Sequence, residues 1–162
     1  MRPRLRHAVR ALIVDDEQRI LLCRFDLSRQ GIVVWASPGG GIEPGETLLG
    51  ALRRELDEEV GLALDGAPPH VWHQVVEGPG HARHYDGVVN DYFLLRTSHF
   101  DPRGSFTPDQ LAAENIAGLR WWSLAELDAY RGADLFSPRA LPVVLRELLD
   151  NGVPAQPRLL AL

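Results

Sequence analysis

The chain has little sulfur: one cysteine, Cys23, in 162 residues. No intramolecular disulfide can form, so a reducing compartment is expected, with the cytoplasm as the default. No apolar run approaches the roughly 18 residues of a membrane-spanning helix, and no membrane partner is expected. The basic start, MRPRLRHAVR, is followed only by Ala11 to Val14 before Asp15, Asp16 and Glu17. That is too short for the apolar region of a secretion signal. There is no internal repeat and no low-complexity tract. Net positive charge is also lacking, since 22 acidic residues outnumber 17 basic ones for a formal net charge of −5. Nucleic acid is therefore an unlikely main ligand, since phosphate-tracking proteins carry a basic face. A small phosphorylated ligand stays open, because a metal ion can supply positive charge locally. At 45% apolar and 24% charged residues the chain reads as one globular domain over 1–162.

The order of elements is mixed. Ala8 to Val14 and Ile20 to Phe25 read as a strand hairpin, and Ile32 to Trp35 as a third strand. SPGGGIEPGET, residues 37–47, holds too many glycines and prolines for a regular element and reads as a tight loop. Thr47 then caps a helix in which Leu48, Leu49, Leu52, Leu56 and Val60 recur at helical spacing, with Gly61 as the left-handed stop. His70 to Glu77 and Tyr85 to Arg96 read as strands joined by a loop holding His81, Arg83 and His84. That loop follows no metal-ligand spacing and reads as solvated. Ser98 to Gly118 is a long irregular segment with one helical turn near Gln110 to Ala113, of a length suited to closing over a ligand. Leu119 to Trp122 reads as the last strand, followed by a short helix to Tyr130 and a final helix over Pro142 to Asp150. The fold class is α/β (α+β) with a mixed sheet.

Chemistry concentrates in residues 40–62, GGIEPGETLLGALRRELDEEVGL. At about 100° per residue, Glu55, Glu58 and Glu59 lie within one arc beside the apolar stripe. Like charges so spaced repel by a few tenths of a kcal/mol per pair, roughly, and a hard divalent cation offsets this directly. A solvated acidic face paired with Arg53 and Arg54 is the bland alternative. Gly40 and Gly41 leave a ligand unobstructed, and Arg54 can hold Glu55 by charge-assisted hydrogen bonds.

The segment resembles the Nudix box, the signature of the Nudix hydrolase family. Gly40, Glu46, Arg54, Glu55, Leu56, Glu58, Glu59, Gly61 and Leu62 occupy every position that the signature specifies. WASPGG before it and LRWWSLAEL at 119–127 are similar to the family's flanking segments. The resemblance implies a Nudix fold, a mixed sheet between helices with the box as loop-helix-loop. It implies metal-dependent hydrolysis of a nucleoside diphosphate linked to a further group, with Mg²⁺ as cofactor and Mn²⁺ as substitute. By resemblance Glu55, Glu58, Glu59 and the Gly40 carbonyl are metal ligands, Arg54 orients Glu55, and Glu46 is an outer helper. Glu59 or Glu55 is a base candidate, and Glu114, in the late segment, is the other.

The remaining assignments rest on less. Arg24, at the end of a strand, and Gly41 are substrate-binding candidates. Arg2, Arg4, Arg6 and Arg10 read as a solvated fringe. Trp35, Trp72, Trp121 and Trp122 read as core more readily than as base-stacking platforms, and Cys23 as a small core residue. A small nucleotide is the expected partner, and a homodimer is compatible with such a chain. The rival readings are a non-catalytic Nudix-fold nucleotide sensor, which would normally lose box acids, and an isomerase, for which Cys23 is poor support.

Overall fold

The structure is a computed structural model that describes residues 2–78, 80 and 82–161. His81, expected in a solvated loop, lies outside the described residues. The first strand, β1 (Leu5–Val14), alternates sharply along its length. Leu12 and Val14 enter one buried cluster, while Val9, Ala11 and Ile13 enter another. A strand that is apolar on both faces must be central, with a layer on each side. It pairs in parallel with β6 (Gly87–Arg96) over its whole length, from Leu5 opposite Gly87 to Val14 opposite Arg96.

β2 (Ile20–Leu27) meets β1 at Val14 opposite Ile20. Beyond that point the two strands take different partners. β1 pairs with β4 (Gly39–Gly41), and β2 pairs with β7 (Ile116–Trp122) and with β3 (Ile32–Ala36). The cleft described below is lined from both branches of this splay. β5 (His70–Glu77) lies beyond β6, and the short strands β8 (Leu135–Ser137) and β9 (Arg158–Leu160) add in parallel at the two ends.

One face of the sheet is covered by α1 (Leu48–Glu59) through Ala51, Leu52 and Leu56. The other is covered by α3 (Leu124–Ala129) and α4 (Leu141–Asn151), with Leu141, Leu145 and Leu148 packed near Trp72 and Trp122. A short helix, α2 (Pro108–Ala113), opens with a reciprocal capping box between Thr107 and Gln110. No helix among the described residues is long and apolar enough to cross a membrane.

Three expectations need correction. The segment 37–47 is not loop throughout, because Gly39–Gly41 forms β4 against β1. Glycine permits this: Gly39 has φ +144, and a Cβ there would stand 2.0 Å from the Val9 carbonyl oxygen. Leu119 to Trp122 belongs to a longer strand that is not the last. β8 and β9 are three residues each and owe their existence to the neighbours they pair with, so no local period announces them. Nor is 98–118 irregular apart from one helical turn, because Ile116 to Gly118 belongs to β7 and residues 103–106 dock on α1. The amides of Arg103, Ser105 and Phe106 donate to the carbonyls of Val60, Asp57 and Glu58, each at 2.9 Å. The segment thereby satisfies carbonyls that the end of α1 leaves without helical partners.

Candidate active site

α1 begins where Thr47 Oγ1 accepts the Gly50 amide at 3.0 Å. It ends at Gly61, whose φ of +75 is the left-handed stop and whose amide reaches the Leu56 carbonyl at 2.8 Å. With the apolar stripe pinned to the sheet, the flanking arc of acids is turned toward β4.

Arg54 organises this arc. Its Nε and Nη2 donate to the two carboxylate oxygens of Glu46, each at 2.9 Å. Nη1 donates to Glu55 at 3.0 Å and more weakly to Glu58 at 3.5 Å, and Nη2 also reaches the Gly41 carbonyl at 3.1 Å. One planar fork thus holds helix and preceding loop together. The Glu46 carboxyl is held down at about 2, chiefly by that guanidinium and then by the Glu43 amide, and the same bonds raise the Arg54 proton affinity further.

The other acids go the opposite way. Glu59 is 3% exposed, and among the described residues its only bonded support is the Gly39 amide at 3.0 Å. Burial pushes its pKa up to about 8, and the Glu55 charge adds to the rise. Burial also raises Glu55 and Glu58, against the opposing pull of Arg54. Three carboxylates pressed together with too little positive charge form a set that fits a hard cation. The backbone leaves room for it: a Cβ at Gly40 would stand 2.5 Å from a Glu55 oxygen.

Glu55, Glu59, Gly40 and Glu114 line a cleft of about 570 Å³. Glu114 arrives as the residue closing α2. The rest of the wall comes from residues far apart in sequence. Arg6, Arg10 and Arg139 bring positive charge, while Phe25, Val34 and Phe136 bring apolar surface. Arg10 Nη1 donates to the carbonyls of Ser37 and Gly39, each at 3.2 Å, and its guanidinium lies 5.9 Å from the Phe25 ring centre.

Several single-residue expectations change. Arg24 does not line the cleft. It lies 3.7 Å from Asp26, while its neighbour Phe25, on the opposite face of the strand, points in. Gly41 does not line it either, since its carbonyl is taken by Arg54. Arg6 and Arg10 are not a solvated fringe. Arg6, Ala8, Arg10 and Leu12 fall on one face of a strand, and that period-two signal was available in the sequence. Nothing local marks Phe136 or Arg139. Cys23 is fully buried and its thiol pKa is raised well above the ordinary range, chiefly by desolvation, which disfavours acid-base work. Trp35, Trp72 and Trp122 are core.

Among known proteins, a nucleoside triphosphatase NudI of Enterobacter sp. (strain 638) is 42% identical over 62 residues, 37% of this chain and 43% of that protein. An RNA pyrophosphohydrolase of Legionella pneumophila (strain Corby) is 45% identical over 51 residues, 32% of this chain and 27% of that protein. These matches thus span less than half the length of the relatives. The crystal structure of a MutT protein from Methanosarcina mazei Go1 superposes with a TM-score of 0.66 at 20% identity, covering 93% of this chain and 97% of the other, which shows a shared fold. The NUDIX domain family profile matches residues 4–143, taking in both the acidic helix and most of the cleft wall, and the chain belongs to the Nudix family.

Proposed function

We propose that the protein is a divalent-metal-dependent pyrophosphohydrolase that cleaves a phosphoanhydride bond in a small nucleoside di- or triphosphate derivative. The observation that carries this reading is the mixed lining of the cleft. Carboxylates of Glu55, Glu59 and Glu114, guanidinium groups of Arg6, Arg10 and Arg139, and apolar surface from Phe25, Val34 and Phe136 meet in one cavity. A nucleotide offers the matching sequence of groups, a metal-seeking polyphosphate and a planar base.

Glu55, Glu58 and Glu59, with the Gly40 carbonyl, would hold Mg²⁺ or Mn²⁺. The bound ion supplies charge that neutralises phosphate oxygens and acidifies water. Arg54 keeps Glu55 aimed by tying it to Glu46 and the Gly41 carbonyl. Arg6, Arg10 and Arg139 receive phosphate oxygens as charge-assisted donors. Phe25 and Phe136 give the base an apolar seat. The proton acceptor is one of Glu59, Glu55 and Glu114. Glu114 suits the part best, because Glu55 is committed to Arg54 and Glu59 to the Gly39 amide, whereas Glu114 carries no side-chain hydrogen bond among the described residues.

The two relatives, a nucleoside triphosphatase and an RNA pyrophosphohydrolase, differ most in the size of the substrate their names give. The net charge of −5 supports the smaller one. The test is phosphate release from nucleoside triphosphates, nucleotide sugars, dinucleotides and capped RNA, with Mg²⁺ or Mn²⁺. Turnover of free nucleotides is expected. A preference above about tenfold in kcat/KM for capped RNA over every free nucleotide overturns the small-substrate reading. Tight binding with no turnover of anything tested overturns the enzyme reading in favour of a sensor.

A further inference from the structure

The opposite face of β1 carries a second group of metal-type ligands. His7 shares that face with Val9 and Ala11, which pack toward α1, whereas Arg6 and Arg10 face the cleft. Asp91 stands opposite Val9 across β1–β6 and opposite His73 across β5–β6, so His73 and Asp91 are side by side. His70 is three residues before His73, and in an unbroken strand the two would point to opposite faces. The register of β5 shifts between His70 and Trp72, which inserts one residue and returns His70 to the face of His73. Bulges of this kind re-aim side chains.

The result is close convergence. Asp91 Oδ1 lies 2.8 Å from His70 Nε2 and 2.6 Å from His73 Nδ1. The three ligand atoms all lie within 4.8 Å of one another. His7 Nε2 approaches the other oxygen, Oδ2, at 2.6 Å. Stacking on Phe93, with ring centres 4.9 Å apart and planes 21° from parallel, fixes the plane of the His70 ring. Asp91 is 3% exposed, and its ion-pair partners among the described residues are these three imidazoles, with no arginine. The rings are partly exposed, at 31% for His70 and 34% for His73, so an ion can enter from solvent.

We infer that His70, His73 and Asp91 form a binding site for a divalent transition metal of the zinc class, separate from the Mg²⁺-type carboxylate set in the cleft. His7 is the orienting partner that holds Oδ2 and leaves Oδ1 for the ion. Metal–ligand bonds of about 2.0–2.1 Å in a tetrahedral site require ligand atoms roughly 3.3 Å apart. The two hydrogen-bonded separations reach that by opening by less than about 1 Å, and the two imidazole nitrogens, within 4.8 Å of each other, by closing by at most about 1.5 Å. Two imidazoles and one carboxylate select zinc, nickel or cobalt over magnesium, which prefers oxygen throughout. The protons balance without loss from neutral rings. His70 binds through Nε2, giving up its 3.1 Å contact with the Trp72 carbonyl, and carries its proton on Nδ1, His73 binds through Nδ1 and carries it on Nε2, and Asp91 enters as the carboxylate. Three protein ligands leave the remaining position to water. The ion would clamp β5 to β6 at the bulge.

The test uses the full chain carrying Glu55→Gln and Glu59→Gln, so that the cleft acids do not compete. Cobalt(II) is titrated while its visible d–d absorption is followed, and zinc is then added to displace it. One equivalent with tetrahedral bands, bleached by zinc, is expected. His73→Gln or His70→Gln on the same background should weaken cobalt and zinc binding by at least about a hundredfold, and His7→Gln by about tenfold, as for an outer partner. Zinc should also raise the Tm of the parent and leave that of His73→Gln unchanged, with chelator-treated Tm values confirming that both fold. If either histidine variant does not fold, the other is read. If neither folds, a zinc-dependent Tm rise in the parent supports the site and its absence overturns it. Absence of zinc binding at micromolar concentration in the parent, or equal affinity in folded parent and His73→Gln chains, also overturns the site. None of these readouts depends on turnover.

Discussion

The acidic helix and the rest of the cleft wall are built in different ways. The acidic part is local: Glu46, Arg54, Glu55, Glu58 and Glu59 lie within one helix and its leading loop, and a single guanidinium joins Glu46, Glu55 and Glu58. The arginine and aromatic wall is assembled from β1, β2, β8 and the residues after β8, which meet only when the sheet forms. On the proposed reading, chemistry that needs fixed spacing is held by the rigid repeat of a helix, and substrate recognition is spread over separate strands.

The strongest way to break the comparison is at the acidic helix. Glu59→Gln and Glu58→Gln should each lower kcat by about a hundredfold or more in steady-state assays while circular dichroism stays unchanged, because each removes charge but little volume. Near wild-type turnover in both would show that the helix is not the reaction centre. Next is Glu114→Gln. It should lower kcat by at least tenfold, roughly, with little change in KM, the signature of a loss confined to the transition state. A rate within about threefold of wild type would return the base to Glu55 or Glu59.

The wall should behave differently. Arg139→Gln and Arg6→Gln are expected to raise KM by about tenfold and leave kcat nearly constant, since they bind ground state and transition state alike. A kcat defect as large as that of Glu59→Gln would erase the distinction between helix and wall.

The smallest effect is on stability. In the metal-free protein Glu59 has its pKa raised to about 8 in the fold, above the ordinary 4.5. The folded state therefore holds the proton more tightly than the unfolded one. Stability from this group is complete below about pH 4.5 and is lost as pH rises through about 8. With chelator present, Tm should fall over that window, by at most a few kcal/mol of stability, roughly, and Glu59→Gln should flatten the slope.

What the sequence made legible follows the same division. Thr47, the apolar stripe and Gly61 delimit α1 because caps and helical period act within a few residues, and the observed helix matches that reading. The acids follow from the helix. Of the wall, only the shared face of Arg6 and Arg10 was legible, because Arg24 and Phe25 are equally plausible until the sheet assigns their faces, and Phe136 and Arg139 reach the cleft only through the pairing of β8 with β3. The histidine cluster was hidden for a sharper reason. His70 and His73 have a spacing that a regular strand would split between two faces, and only the bulge reunites them.

The docking of 103–106 on the end of α1 carries a consequence for how this scaffold tolerates change. The amides of Arg103, Ser105 and Phe106 should exchange with deuterium about as slowly as the helix they terminate, although they lie in irregular backbone. Gly104 sits so close that a Cβ there would stand 2.3 Å from the Glu58 carbonyl oxygen, leaving no slack to absorb an inserted residue. Grafted or lengthened sequence should therefore be accepted before Arg103, where Asp101 is exposed, but not between Arg103 and Phe106. An insertion there would move α2 relative to α1 and carry Glu114 away from Glu58 and Glu59, so the four residues act as a ruler that sets the spacing between the two acid-bearing segments.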